Sequence, residues 1–347
     1  MFKPRRRQEK TIVGLELDPS HVAAAEVHVN GQIMVSKGAV ADLRPGVLRD
    51  GEVVDTAALS DVLRTMFADH ALGTNVRIGV ANQRIVVRTL DLPLVNDPAA
   101  LEAAVRAGAP DHIPVPMDEA VLDFQPLGTV ETAAGPRTRV VIVAVRRDMI
   151  DRLVTATSDA GLTLAGIDLS AFAMVRALRP AGTQQAVLYI NLAGLANVAV
   201  ANDTGCLFTR AAAGGLDAIV QTLSERRGLT MEHARGWLQH VGLSTPIVAV
   251  EGDPELVAAV RQTLDEGVHQ VADTVRNSLN FYRMQDSAEP VERAVLTGPA
   301  VAIPGFAEEL ATQLHLPVES ALVATDEEGA DAGRLTVAAG LALGDTP

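Results

Sequence analysis

The stretch Ile12-Val13-Gly14-Leu15-Glu16-Leu17-Asp18-Pro19-Ser20, continued by the run from Val22 to Val29 and then Asn30-Gly31, decides the fold of this chain. An apolar run, a polar turn, a second run and an Asn-Gly step read as a three-stranded meander, since Asn-Gly suits a tight hairpin. The pattern returns half a chain later. Leu188-Tyr189-Ile190-Asn191-Leu192 leads through a small-residue turn to Asn197–Ala201, then Thr204-Gly205 and Cys206-Leu207-Phe208. Placing Glu16 over Asn191 brings Asn30-Gly31 almost onto Thr204-Gly205. Repetition at long period constrains topology more than any local motif. Two similar α/β lobes facing a cleft are therefore expected.

Composition bounds the rest. At 347 residues the chain exceeds one ordinary core, which implies two domains or more. Aromatics make up only 3% of it against 48% hydrophobic residues, so alanine and valine must fill the interior. The formal charge is −14. Without the first ten residues, which hold five bases and one acid, it is −18, or 24 basic against 42 acidic side chains. Such a body has no electrostatic footprint for nucleic acid. One cysteine, Cys206, excludes an internal disulfide and fits a reducing compartment. No run approaches the ~18 apolar residues of a spanning helix. Residues 1–10 read as a disordered basic tail, not a signal peptide, with a weak pull toward anionic lipid of ~1 kcal/mol per base.

Along the chain, Leu43 to Val53 is a Pro/Gly-marked connection, and Thr56 to Asp69 has the period of an amphipathic helix. Val76–Val80 and Ile85–Leu90 read as strands. Asp97-Pro98 starts a helix that runs to about Gly108. Val121–Leu127 and Arg139–Val145 are strands around Ala134-Gly135-Pro136, Asp148 is expected to cap the next helix, and Ser170 opens another. Pro180-Ala181-Gly182-Thr183 is the expected hinge between lobes. Further helices are expected over Leu216–Arg227, Met231–Val241, Glu255–Gln285, Phe306–Leu314 and Arg334–Leu343, with a strand at Ala294–Leu296.

Two meanders, Gly214-Gly215 before a helix, and a strand entering Thr297-Gly298 together resemble the actin, heat-shock-chaperone and sugar-kinase ATPase fold. Within it, several landmarks are similar to those of the PilM family of type IV pilus assembly proteins, relatives of the division protein FtsA. They include Val13-Gly14-Leu15-Glu16-Leu17, Asp91-Leu92-Pro93, Asp111-His112-Ile113-Pro114-Val115-Pro116, Leu122-Asp123-Phe124, Asp159-Ala160-Gly161-Leu162, Arg276-Asn277-Ser278-Leu279-Asn280-Phe281-Tyr282 and Val295-Leu296-Thr297-Gly298. The similarity spans about residues 11–344. It implies an α/β, actin-like (ribonuclease H-like) duplicated two-lobe fold with an inserted FtsA-type subdomain. The first lobe would span 11–180, with the insertion at about 84–154, and the second 181–333. Residues 334–347 would form a C-terminal helix packing back on the first lobe.

In this superfamily the nucleotide sits between the lobes, and each phosphate loop supplies an acid for Mg²⁺ and glycine and hydroxyl residues whose amides wrap phosphates. The PilM first loop resembles Gly-Ile-Asp-Ile-Gly-Ser-Ser-Ser-Val-Lys. Here those places hold Gly14, Leu15, Glu16, Leu17, Asp18, Pro19, Ser20, His21, Val22 and Ala23. The second loop's Asp-Ile-Gly is Asn191-Leu192-Ala193, followed by Gly194. An unneutralised Asp18 carboxylate ~4 Å from a phosphate charge would repel it by ~4 kcal/mol at an effective dielectric near 20. Each ~1.4 kcal/mol is tenfold in affinity. The expectation is that nucleotide affinity is weak or lost, hydrolysis absent and no cofactor needed. If ATP with Mg²⁺ is bound, the resemblance places its contacts at Glu16, Ser20, Asn191, Gly194, Gly214, Gly215, Glu232, Arg235 and Gly298, where Glu232 and Arg235 stand for the family's ribose-binding Glu-x-x-Lys.

The eight histidines have no zinc-site spacing and are read as surface or cap residues. Trp237, Phe281 and Tyr282 are read as core. No catalytic or metal-binding residue is assigned. The family resemblance implies a cytoplasmic adaptor, peripheral at the inner membrane face. It would take the cytoplasmic N-terminal segment of a PilN-like membrane protein into a groove beside the insertion, and touch other platform proteins and the motor. Two alternatives use the same fold: an ATP-binding ATPase whose nucleotide state regulates pilus assembly, and an FtsA-like division protein. The latter family ends in a membrane-binding helix after a linker, whereas this chain stops at Gly344-Asp345-Thr346-Pro347.

Overall fold

A computed structural model describes residues 11–95, 97–133, 135–180, 182–285 and 288–344. The basic tail and Ala181 of the expected hinge lie outside them. The first lobe opens with β1 (Val13–Leu17), β2 (His21–Val29) and β3 (Ile33–Asp42). The two-residue strands β4 (Leu48–Arg49) and β5 (Glu52–Val53), helix α1 (Thr56–Asp69) and strand β6 (Asn75–Val80) follow. An excursion then runs through β7 (Val86–Pro93), α2 (Pro98–Gly108), β8 (Ala120–Thr132) and β9 (Gly135–Arg146). The chain returns by α3 (Arg147–Asp159), β10 (Thr163–Leu169) and α4 (Ser170–Leu178). The second lobe holds β11 (Ala186–Leu192), β12 (Ala196–Asn202), β13 (Gly205–Ala212), α5 (Leu216–Arg227), α6 (Met231–Val241) and α7 (Pro254–Arg283). It continues through β14 (Val291–Thr297), α8 (Phe306–Leu314), β15 (Val318–Ser320), β16 (Ala324–Thr325) and α9 (Ala332–Ala342).

The duplication is explicit in the sheets. The first is ordered β10-β6-β1-β2-β3-β16, the second β13-β12-β11-β14-β15. In each, a meander is antiparallel and its first strand pairs on the other side with a parallel crossover strand. β1 sets Glu16 opposite Ala23 on β2 and Gly79 on β6; β11 sets Asn191 opposite Asn197 on β12 and Thr297 on β14. Glu16 and Asn191 thus occupy equivalent places at the carboxyl ends of the central strands. That is where open α/β sheets gather ligand-binding loops.

Each lobe has its own core. Leu15, Ile78, Leu59 and Leu63 fill the first with Met149 and Leu153 of α3; Leu188, Ile190, Val260 and Leu264 fill the second. Between them lies a smaller cluster made by Ala173 and Met174 of α4, Tyr189 and Ala199 of the second sheet, and Val337 and Leu341 of α9. α9 lies so close to β1 that a Cβ on Gly14 would stand 1.8 Å from the Ala338 carbonyl oxygen. Only glycine allows that approach.

The excursion forms a separate sheet, β7-β9-β8, with its own core of Leu90, Leu92, Val140 and Ile142 under Leu101 and Val105 of α2. Its strands outrun the sequence reading, which also has no strand at β10, β15 or β16. The boundary expected near residue 154 falls inside α3, whose buried face belongs to the first-lobe core. Asp148 does not cap α3. Arg146 stands at the N-cap, and Asp148 sits in the first turn, paired with Arg146 at 2.8 Å.

Candidate functional site

The crevice between the lobes is built from the two strand ends and their turns. Asp18-Pro19-Ser20-His21 is the turn joining β1 to β2, closed by the Asp18 N–H donating to the His21 carbonyl at 2.9 Å. Proline's fixed φ suits such a turn. The Asp18 carboxylate accepts from the Ser20 amide (3.1 Å) and hydroxyl (3.0 Å) in its own lobe. Across the crevice the Gly194 N–H reaches both its oxygens, at 3.1 and 2.9 Å. His21 Nδ1 stands 3.3 Å from the same carboxylate and 3.2 Å from the Ser20 hydroxyl. A Cβ on Gly194 would fall 2.4 Å from Asp18 Oδ1, so the loops meet as closely as glycine permits.

Behind this contact, Asn191 Nδ2 donates to Glu16 Oε1 at 3.5 Å. Burial pushes the Glu16 carboxyl up to about 8; the His21 charge and Asn191 oppose the rise and Asp18 adds to it. Glu16 therefore holds its proton at neutral pH. Burial also acts to raise Asp18, yet the hydrogen bond and charge of His21, with the Ser20 donors, hold it below the usual carboxylate range. His21 is shifted upward: burial works against its charge, and the hydrogen bond and charge of Asp18 oppose burial. The result is a buried Asp18–His21 ion pair beside a neutral Glu16. The sequence reading of Asp18 as an unneutralised charge, and of the histidines as surface or cap residues, is corrected here: His21 is 1% exposed.

The remaining expected contacts scatter. Gly298 follows β14 at φ +90°, and a Cβ there would fall 2.3 Å from the Asn191 amide oxygen. Gly214 and Gly215 precede α5, and Gly215 packs on the Ala193 carbonyl. Arg235 on α6 is engaged by Asp217 of α5 at 3.2 Å, while Glu232 is exposed. So Glu16, Ser20, Asn191, Gly194 and Gly298 converge, with Gly214 and Gly215 at the edge and the α6 pair turned to other work. The donors a phosphate would need at Ser20 and Gly194 are already engaged, and the acids suited to Mg²⁺ are a protonated Glu16 and an amide. The residues present do not fit a metal-bound triphosphate. Among the described residues no group of three or more His, Cys, Asp or Glu could hold a metal ion.

A second concavity, of about 1150 Å³, opens between the inserted sheet and the second lobe. Its walls are β7, the edge strand of the inserted sheet, and β13, the edge strand of the second sheet, with Pro114, Val115 and the end of α7 completing it. Ile85, Val87, Leu207 and Phe208 give it an apolar lining. Phe281, expected in the core, is 50% exposed in this cleft and rests on Phe208 with ring centroids 6.0 Å apart. Arg88 and Arg210 stand exposed on its two walls. Arg139 is held by Asp91 through two bonds of 2.7 and 2.9 Å.

A twice-used five-strand arrangement with a polar crevice at matching strand ends defines the class: an actin-like protein, with an extra subdomain in the first lobe. The profile of the family described as type IV pilus assembly protein PilM matches residues 14–343, so the chain belongs to that family. Among solved structures it is similar to a PilM–PilN type IV pilus biogenesis complex, at 23% identity and TM-score 0.77 over 96% of this chain and 98% of that one. It is also similar to the ethanolamine utilization protein EutJ of Carboxydothermus hydrogenoformans (16%, 0.53, 95% and 88%). MreB5 of Spiroplasma citri bound to ADP shares the fold as well (13%, 0.53, 95% and 94%).

Proposed function

We propose that this protein is a non-catalytic cytoplasmic adaptor of the type IV pilus assembly platform, and that its cleft receives the cytoplasmic N-terminal segment of a PilN-like membrane protein. The observation that carries the reading is the cleft itself: a trough between two strand edges, lined by apolar and basic side chains, with a half-exposed phenylalanine among them. An edge strand offers unpaired N–H and C=O groups to an extended peptide, and side pockets supply selectivity. Solvent-exposed apolar surface of this kind marks interaction sites. Family membership and the likeness to a PilM–PilN complex support the choice of partner. Among the described residues no helix is long and apolar enough to cross a membrane, so membrane association would run through the partner.

Absence of catalysis is part of the proposal. Phosphoryl transfer needs a metal-holding acid and free amide donors around the phosphates, whereas here Glu16 keeps its proton and the Gly194 amide is occupied. The test is calorimetric titration of the full chain with a synthetic peptide of the cytoplasmic N-terminal segment of a PilN-like protein, together with a phosphate-release assay. Micromolar peptide binding without phosphate release is expected. Peptide affinity unaffected by Phe281→Asp would remove the cleft from the reading, and phosphate release abolished by Glu16→Ala would restore an enzyme.

A further inference from the structure

We infer that Asp18 is an internal anionic latch: its carboxylate, bound by the Gly194 amide, holds the two lobes closed without any ligand between them. This goes beyond the adaptor reading and stands without it, since it concerns the crevice and not the cleft.

The geometry is specific. Asp18 is 5% exposed and lies on the first lobe; Gly194 lies 176 residues away on the second, and its N–H meets both carboxylate oxygens. The other donors, the Ser20 amide and hydroxyl, come from the same turn as Asp18, and His21 stands behind with its charge. Amides of two facing turns converging on one anion form the cradle that a phosphoryl group would occupy. Here the anion is covalently part of one lobe. A tethered ligand has a high effective concentration, so a free anion competes poorly for the same donors. The close approach at Gly194 follows from this, because any side chain there would collide with Asp18. The consequence is a conformation in which closure is constitutive, with the interlobe angle independent of nucleotide.

Hydrogen exchange on the intact protein tests this first. The Gly194 amide is expected to be protected in the full chain and unchanged by 2 mM MgATP. In Asp18→Ala it should exchange at least tenfold faster, the radius of gyration in solution scattering should rise, and the melting temperature should fall by about 4 °C or more. Should the alanine variant fail to fold, Asp18→Asn retains the size and one acceptor and should show intermediate protection. Free exchange at Gly194 in the natural chain would overturn the latch. So would an unchanged radius and exchange rate in Asp18→Ala, or a MgATP-induced contraction of the natural chain.

Discussion

The crevice and the cleft lie on the same molecule and have opposite characters. In the crevice the carboxyl groups are turned inward on protein partners: Asp18 on Gly194 and His21, Glu16 on Asn191. In the cleft, apolar side chains and two strand edges are left facing solvent, with Phe281 half exposed. Burying an unpaired charge is costly, so a former ligand site must either fill or acquire internal partners. Leaving an apolar trough open has its own cost, which persists only where something covers it. The crevice residues thus hold the two lobes to each other, and the open concave surface lies instead at the junction with the insertion.

The largest expected effect breaks the crevice. Gly194→Val places a side chain against Asp18 and Pro19 and removes the bidentate contact. Overpacking and loss of a charge-assisted bond together should destabilise the fold by about 4 kcal/mol in urea unfolding. A loss below about 1 kcal/mol would mean that the loops do not pack as described.

Next is Glu16→Gln. Glu16 is shifted upward to about 8 from 4.5, so the folded chain holds a proton that the unfolded chain releases. Stability from this group therefore declines as pH rises from about 4.5 to 8 and is level above. Glutamine accepts the same bond from Asn191 without titrating. The variant should match the natural chain near pH 4 and exceed it by roughly 3 kcal/mol at pH 7, at about 1.4 kcal/mol per pH unit. His21, shifted upward, adds a decline above its ordinary range that survives in the variant; Asp18, shifted downward, produces the loss at acid pH. Parallel pH profiles for the two proteins would refute the burial assigned to Glu16.

The cleft should respond in binding and not in folding. Phe281→Ala removes a half-exposed ring, so stability should change by under about 1 kcal/mol. Affinity for the PilN-like peptide should fall by about 2 kcal/mol, or ~30-fold, as for an aromatic anchor.

Much of the fold was legible because its signals are local. The Asn30-Gly31 and Thr204-Gly205 turns, the Asp97-Pro98 start of α2 and the apolar period of α1 each follow from a few neighbouring residues, and the repeat of the meanders gave the topology. What escaped was long-range or polar. β10 carries Gly166 at a register shift and Asp168 near its end, so its pattern is not that of a strand; it forms because β6 offers a parallel edge. Among candidate site residues, Glu16 and Asn191 were legible as matching strand-end positions and Gly194 as a turn position. The destination of the Asp18 carboxylate, the burial of His21 and the diversion of Arg235 to Asp217 depend on partners in other elements. A groove beside the insertion came only from the family resemblance, and its walls could not be read, since β7 and β13 are over a hundred residues apart.

The smallest effect sharpens what the cleft selects. Arg88 and Arg210 project on opposite walls of an otherwise strongly acidic protein, and Arg139 beside them is neutralised by Asp91. Exposed charges of this kind contribute little to folding and act chiefly on the rate of encounter with a partner of opposite sign. Replacing both by glutamine should leave the melting temperature within about 1 °C. It should weaken peptide binding by about 1 kcal/mol, roughly fivefold, mainly through a slower on-rate. The difference should shrink as ionic strength rises past 0.15 M, where screening acts within about 8 Å. If the apolar trough alone selects the partner, the double variant will bind with the natural on-rate at every salt concentration, and recognition then rests on Phe281 and the strand edges.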